Sequence, residues 1–345
     1  MIYLICQDWK NTSHNHAGIK YFCNKITELY PETYSSIVFP DYYSDYGIKN
    51  SKVIRQIYKQ LSRIRHQYNL RKVLGWLLGR VESGDKVILM EYMELMYPTL
   101  YFAKKFKSSK PDIPLYAMVH LVPMKLKILF KPETLRTWTS AVDKILTLGN
   151  SLTSFLNDQG VDSCKIVTLF HPVDEFYYTS TPVRAHKNIS VIAMGNQMRN
   201  IDMLAAVIKA CPDVQFTVLQ GAADFSVLFG DSTNVKLLSF IDETELRQYM
   251  SESDISLNVM YDTVGSNVIV TSLGMGLAML CSDVGSIRDY CNDDNTIFCE
   301  SVSDFSAALK LLNTDSDRLS KMQFAAAEKG REFSVENFVR AINAI

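Results

Sequence analysis

From Asp262 to Tyr290 the chain reads DTVGSNVIVTSLGMGLAMLCSDVGSIRDY. A polar loop with one glycine enters an apolar stretch of helical spacing. A short apolar run (278–283), a tight turn and a second helix start follow. Gly265 permits a positive φ or a close backbone approach. Ser266 or Asn267 can cap the next helix, expected over 266–275, leaving its first N–H groups free to meet an anion. Asp283 to Ser286 make a second turn of the same kind. Singly, each turn is also what an ordinary strand-to-helix loop looks like; together they point to a phosphate-bearing ligand.

Working outward, the same alternation fills the chain. Strands are expected at 2–6, 36–40, 86–92, 115–120, 144–148 and 165–170, with helices at 17–29, 51–80, 96–108 and 150–159. A polar stretch at 176–188 reads as a linker. The pattern restarts with strands at 189–195, 214–221, 235–240, 254–259, 278–283 and 296–300, and helices at 200–210, 243–251, 266–275, 303–312 and 316–331. Most strands are apolar throughout, as when helices cover both sheet faces. The expectation is two doubly wound parallel α/β domains, 1–175 and 189–331, facing across a cleft, with a short amphipathic helix in 332–345 packing back on the first domain.

The 345 residues carry a net charge of −1, with 47% apolar and 21% charged residues, a globular balance without a disorder bias. The charge is uneven. Residues 1–175 hold 23 basic against 16 acidic residues, and the remainder 13 against 21. The seven cysteines include no C-x-x-C pair and no metal-site spacing, which reads as buried free thiols in a reducing compartment, without a metal. The apolar start MIYLIC is broken by Gln7, Asp8 and Lys10, so it fits a first strand rather than a signal peptide or membrane span, and a cytoplasmic location is expected.

A third feature is AMGNQMRNIDMLAAV (193–207). Gly195 ends a strand and Arg199 stands at a helix start, where a cation opposes the helix dipole unless an anion is bound. Arg199 could clamp a diphosphate through two charge-assisted bonds, or it could be a solvated surface arginine. No G-x-G-x-x-G follows a strand and no G-x-x-x-x-G-K-[ST] occurs, which argues against dinucleotide oxidoreductases and P-loop enzymes.

These residues resemble the retaining glycosyltransferases of the GT-B fold, family 4. TVGSNVIVTSLGMGLAMLCSDVGSIRD (263–289) follows that family's C-terminal signature, GNQMRN (195–200) its donor-phosphate loop, and PVDEFY (172–177) its entry to the second domain. HAGIKYFCNKITEL (16–29) is similar to the family's first glycine loop and helix, and MVHLVP (118–123) to the strand end that carries its active-site histidine. The resemblance implies transfer of a sugar from a nucleotide diphosphate-sugar to an acceptor hydroxyl, in surface polysaccharide or other glycan synthesis, with no metal required. It implies donor contacts from Gly195, Arg199, Thr263, Gly265, Ser266, Asn267 and Thr271, and a catalytic His120 at the sugar. His14, His16 and Gly18 would lie on the acceptor side; solvated loop residues are the plainer reading of the two histidines.

Both glutamates of the family's E-x7-E signature are absent. Thr263 stands where the first would meet the donor sugar, and Thr271 where the second would take the ribose hydroxyls. A threonine offers one hydroxyl and no charge, so a catalytically silent partner subunit or scaffold is the alternative. On the implied helix, Thr271 is expected to face the ribose. Lys104, Lys105, Lys107 and Lys110, then Lys125, Lys127 and Lys131, and finally Arg63, Arg65, Arg71, Lys72 and Arg80 beside Leu74, Trp76, Leu77 and Leu78 form basic, partly apolar surfaces. They suggest a peripheral contact with an anionic membrane on its inner face and a glycan or lipid-linked acceptor, although solvated helix faces have the same look. Nucleic acid is not expected as a partner.

Overall fold

The computed structural model describes residues 1–9, 12–40, 52–94, 99–179, 188–221, 223–230 and 232–345. Residues 51 and 96–98 of the expected helices and 180–187 of the expected linker lie outside them. The chain divides into two compact units, Met1–Leu169 with Ile345, and Phe170–Ala344.

The first unit is built from β1 (Ile2–Asp8), α1 (Ile19–Leu29), β2 (Tyr34–Pro40), α2 (Lys52–Leu78), β3 (Lys86–Tyr92), α3 (Thr99–Ser109), β4 (Leu115–Val119), α4 (Pro123–Leu129), α5 (Pro132–Ser140), β5 (Lys144–Thr147), α6 (Asn150–Asp158) and β6 (Ile166–Thr168). Its six strands run parallel in the order β2-β1-β3-β4-β5-β6. Helices α4 and α5 answer to no expected element. Each opens with proline in its first turn, where the missing N–H costs nothing and the fixed φ suits a helix. Read along the sequence, those prolines look like breaks.

The second unit comprises β7 (Ser190–Ala193), α7 (Ile201–Ala210), β8 (Gln215–Leu219), α8 (Ser226–Phe229), β9 (Val235–Leu238), α9 (Glu243–Ser251), β10 (Ile255–Asn258), α10 (Asn267–Gly274), β11 (Ala278–Ser282), α11 (Ile287–Tyr290), β12 (Thr296–Cys299), α12 (Val302–Thr314), α13 (Ser316–Gly330) and α14 (Val335–Asn343). Its sheet is also six-stranded and parallel, in the order β12-β11-β10-β7-β8-β9. Val191, Phe216, Val218, Leu257 and Leu280 from the strands pack with Leu204, Val207, Ile208, Phe305 and Leu309 from α7 and α12. Helices α10 and α13 cover the other face at β11, so every residue of β10 and β11 is buried and their sequences do not alternate. The C-terminal helix α14 belongs to this second unit; only Ile345 clusters with the first.

Candidate active site

In the second sheet the chain adds β8 and β9 on one side of β7, then crosses to lay β10 on the other. Ligands of open α/β sheets gather beyond the carboxyl ends of the strands at such a reversal. The loops leaving β7 and β10 carry Gly195 and Gly265. They are joined by an antiparallel bridge between Arg199 and Met260. Asn200 N–H donates to the Val259 carbonyl at 2.9 Å and Tyr261 N–H to the Met198 carbonyl at 2.8 Å.

Gly195 lies in the left-handed region (φ +73°), and a Cβ there would come within 2.9 Å of Val268 at the start of α10. Both facts demand glycine. Arg199 is half-buried. Its guanidinium donates to the Leu219 carbonyl at 2.8 Å and, more weakly, to the Ala193 carbonyl at 3.4 Å, at the ends of β8 and β7. No carboxylate among the described residues pairs with it, and burial pulls its pKa down to about 10. A cation held this way is stabilised by an incoming anion.

Ser266 caps α10, its Oγ accepting from the Ile269 N–H at 3.4 Å. The N–H groups of Ser266, Asn267 and Val268 have no acceptor among the described residues. Asn267 Oδ1 is likewise buried without a partner there. Gly265 (φ +85°) lies flat on the Tyr290 ring, which a Cβ would enter, and its N–H donates to Thr263 Oγ1 at 3.3 Å. Tyr290 is fully buried, stacked on Phe333 with ring centroids 5.0 Å apart, and its hydroxyl accepts from the His171 N–H at 2.9 Å. The turn after β11 is tied in as well, for Ser286 N–H donates to the Thr263 carbonyl at 2.8 Å. In that turn Arg288 is already neutralised, forked onto Asp283 at 2.8 and 2.7 Å. Arg199 is the opposite case.

Thr271 does not stand as expected. Its hydroxyl donates to the Asn267 carbonyl at 2.6 Å, one turn back, and the residue is 5% exposed. A threonine inside a helix finds that i−4 carbonyl readily, so the hydroxyl proton is committed to α10. Thr263 is equally buried and serves its own turn.

In the first sheet the reversal falls between β1 and β3. Glu91, at the end of β3, accepts from the Gln7 N–H at 2.8 Å and from the Trp9 indole N–H, fixing the loop that leaves β1. Gly18 begins α1 where a Cβ would meet the Thr12 carbonyl at 2.7 Å. His14 and His16 line a cavity of about 450 Å³ with Ser13, Lys20, Tyr21, Asn24, Lys25 and Glu28. Lys20 is held by Asp8 at 2.8 Å. His120 is not in that lining; it follows β4, with its Nε2–H on the Met90 carbonyl at 2.7 Å, and burial lowers its pKa. Burial also raises the carboxyl of Glu94, just past β3, against the opposing pull of Lys125. The sequence reading passed over Glu91, Glu94 and Tyr290. The first two stand where the strand order reverses, and only the strand order reveals that.

No protein-family model and no curated protein sequence matches the chain. Solved structures do. HepE of Anabaena in complex with UDP-glucose superposes with a TM-score of 0.71 at 12% identity, over 100% of this chain and 99% of that one. The lipopolysaccharide outer core galactosyltransferase WaaB in its apo form gives 0.66 at 13%, over 100% and 99%. Sucrose-phosphate synthase of Thermosynechococcus elongatus gives 0.76 at 9%, over 99% and 97%. The fold is GT-B, with its two Rossmann-like parallel sheets.

Proposed function

We propose that the protein is a glycosyltransferase that moves a sugar from a nucleotide diphosphate-sugar to an acceptor hydroxyl with retention. The observation that carries this reading is Arg199. It is a half-buried guanidinium without a carboxylate partner among the described residues, on the loop bridged to the one that leads into α10 and its unfilled N–H groups. In the reaction the bond from the anomeric carbon to the β-phosphate oxygen breaks and its electron pair leaves on the diphosphate. The acceptor oxygen bonds the anomeric carbon, and its proton passes to the departing phosphate. Charge develops on that phosphate, where Arg199 and the N–H groups of Ser266, Asn267 and Val268 stabilise it most. Gly195 and Gly265 let the backbone approach, and Thr263 holds Gly265 in place. His120, kept neutral near pH 7, serves at the sugar. His14, His16 and Gly18 belong to the acceptor side, with a glycan or lipid-linked acceptor brought to an anionic membrane by the basic first unit.

HepE is solved with UDP and with UDP-glucose, so uridine diphosphate sugars head the donor panel. The test is nucleotide release from UDP-, GDP- and ADP-sugars with the purified full chain, with and without Arg199→Ala. Release by the parent but not the variant supports the reading. The second reading, a catalytically silent scaffold, is favoured by Thr263 and Thr271, neither a carboxylate and both engaged internally. It predicts nucleotide binding without release, or no binding at all.

A further inference from the structure

Helix α2 packs on β2 and α3 through one face. His66 and Leu77 are fully buried there, Ser62 and Leu70 nearly so, and His66 meets Phe39 with ring centroids 5.2 Å apart. The opposite face is apolar as well, and no described residue covers it. Val53, Ile57, Leu61, Ile64 and Tyr68 are 65%, 56%, 51%, 62% and 59% exposed. Their spacing of four, four, three and four residues forms one straight stripe, centred roughly 180° from the buried face at 100° per residue. Five large apolar side chains in one exposed line mark a surface that something covers.

The charges around the stripe decide what. Between residues 52 and 80 there is no aspartate or glutamate. Arg65, Arg71 and Lys72 are exposed and lie within roughly 80° of the stripe's centre, and Lys72 sits over the Tyr68 ring at 4.7 Å. A helix pairing with a second copy of itself would set cation against cation, with no acid in either helix to relieve it. A nucleic acid would satisfy the cations but leave the apolar line in water. An anionic bilayer satisfies both, the stripe entering at the headgroup boundary and the flanking cations meeting lipid phosphates.

We infer that the exposed stripe of α2, Val53-Ile57-Leu61-Ile64-Tyr68, is the edge by which this protein inserts into the surface of an anionic bilayer. The inference rests on the membrane contact proposed above and assigns it to one helix face. Of the apolar residues expected beside the cations, Leu74, Trp76, Leu77 and Leu78, Leu74 and Leu77 are buried while Trp76 is exposed.

The experiment is flotation of the full chain with vesicles of phosphatidylcholine alone and of phosphatidylcholine with phosphatidylglycerol, at low and at high salt. The variants are Ile57→Ser/Leu61→Ser/Ile64→Ser and, separately, Arg65→Gln/Lys72→Gln. UDP binding and gel-filtration mass are measured for each. The parent is expected to float with the anionic vesicles. The serine variant should lose partitioning by about a hundredfold at both salts, with UDP affinity unchanged. The glutamine variant should lose about tenfold at low salt and little at high salt. A serine variant that floats like the parent overturns the assignment of the stripe while leaving membrane contact standing. A parent that ignores anionic vesicles overturns both. A parent that is dimeric, with a monomeric serine variant, gives the stripe to a second copy.

Discussion

Replacing Arg199 with methionine separates an anion anchor from a structural staple, because the two roles move opposite observables. In the unliganded protein the charge is costly. A fall from 12.5 to about 10 corresponds to about 3 kcal/mol of disfavour for the charged form. Against this stand its bonds to the Leu219 and Ala193 carbonyls, together worth about 1.5–3 kcal/mol net, the second being long at 3.4 Å. Methionine keeps the length of the side chain and its packing. The terms cancel to within about 1.5 kcal/mol, so the melting temperature of the unliganded variant should move by no more than about 6 °C. With a nucleoside diphosphate bound, the balance is lost. One charge-assisted bond is worth about 1.5–3 kcal/mol, so the variant should bind UDP about 10- to 150-fold more weakly. Isothermal titration with UDP beside a melt of each unliganded protein gives both quantities. An unchanged UDP affinity with a melting temperature lowered by more than about 8 °C would refute the reasoning and make Arg199 a strand staple.

Gly265→Ala puts a methyl group into the Tyr290 ring at a φ of +85° and should cost about 2–5 kcal/mol, read as a lower urea midpoint with an unchanged slope. His120 has its folded pKa below its unfolded one, so the unfolded chain takes up the proton first and stability drops as pH falls below about 6.5. His120→Gln should start about 1 kcal/mol less stable at pH 7, through the lost Met90 bond, and then lose less than the parent between pH 7 and 5; parallel melting curves across that range would sink the assignment. Thr271→Val removes the bond to the Asn267 carbonyl and should cost about 0.5–1.5 kcal/mol while leaving UDP affinity within about twofold. A tenfold loss would return Thr271 to the ribose.

The inner strands were legible because β4, β10 and β11 are short runs buried at every position, and burial of that kind leaves its mark along the chain itself. AMLCS at β11 could hardly be anything else. Helices α4 and α5 were not legible, since proline begins a helix as readily as it breaks one, and only the third dimension distinguishes the two. In the site, Gly265 and Ser266 announced their turn through local backbone chemistry. Arg199 was singled out for opposing the dipole of α7, and the structure shows it half-buried on the Leu219 and Ala193 carbonyls. What escaped depends on partners distant in sequence. Tyr290 reaches His171 from 119 residues away, and Glu91 holds Gln7 across 84. Thr271 was expected to face a ribose; its hydroxyl donates to the Asn267 carbonyl one turn back, a bond that spacing alone does not reveal.

The contact between Gly265 and Tyr290 also restricts how this sequence can change over time. Position 265 cannot gain a side chain while an aromatic ring lies beneath it, and the ring cannot shrink without losing its stacking on Phe333 and its bond from the His171 N–H. The two positions are therefore open to change only in one order, with 290 first, and only through an intermediate less stable than either end. Lineages that descend from this chain should keep glycine and tyrosine together long after the residues around them have diverged. Where the pair is broken, both members should have been replaced, and Phe333 with them.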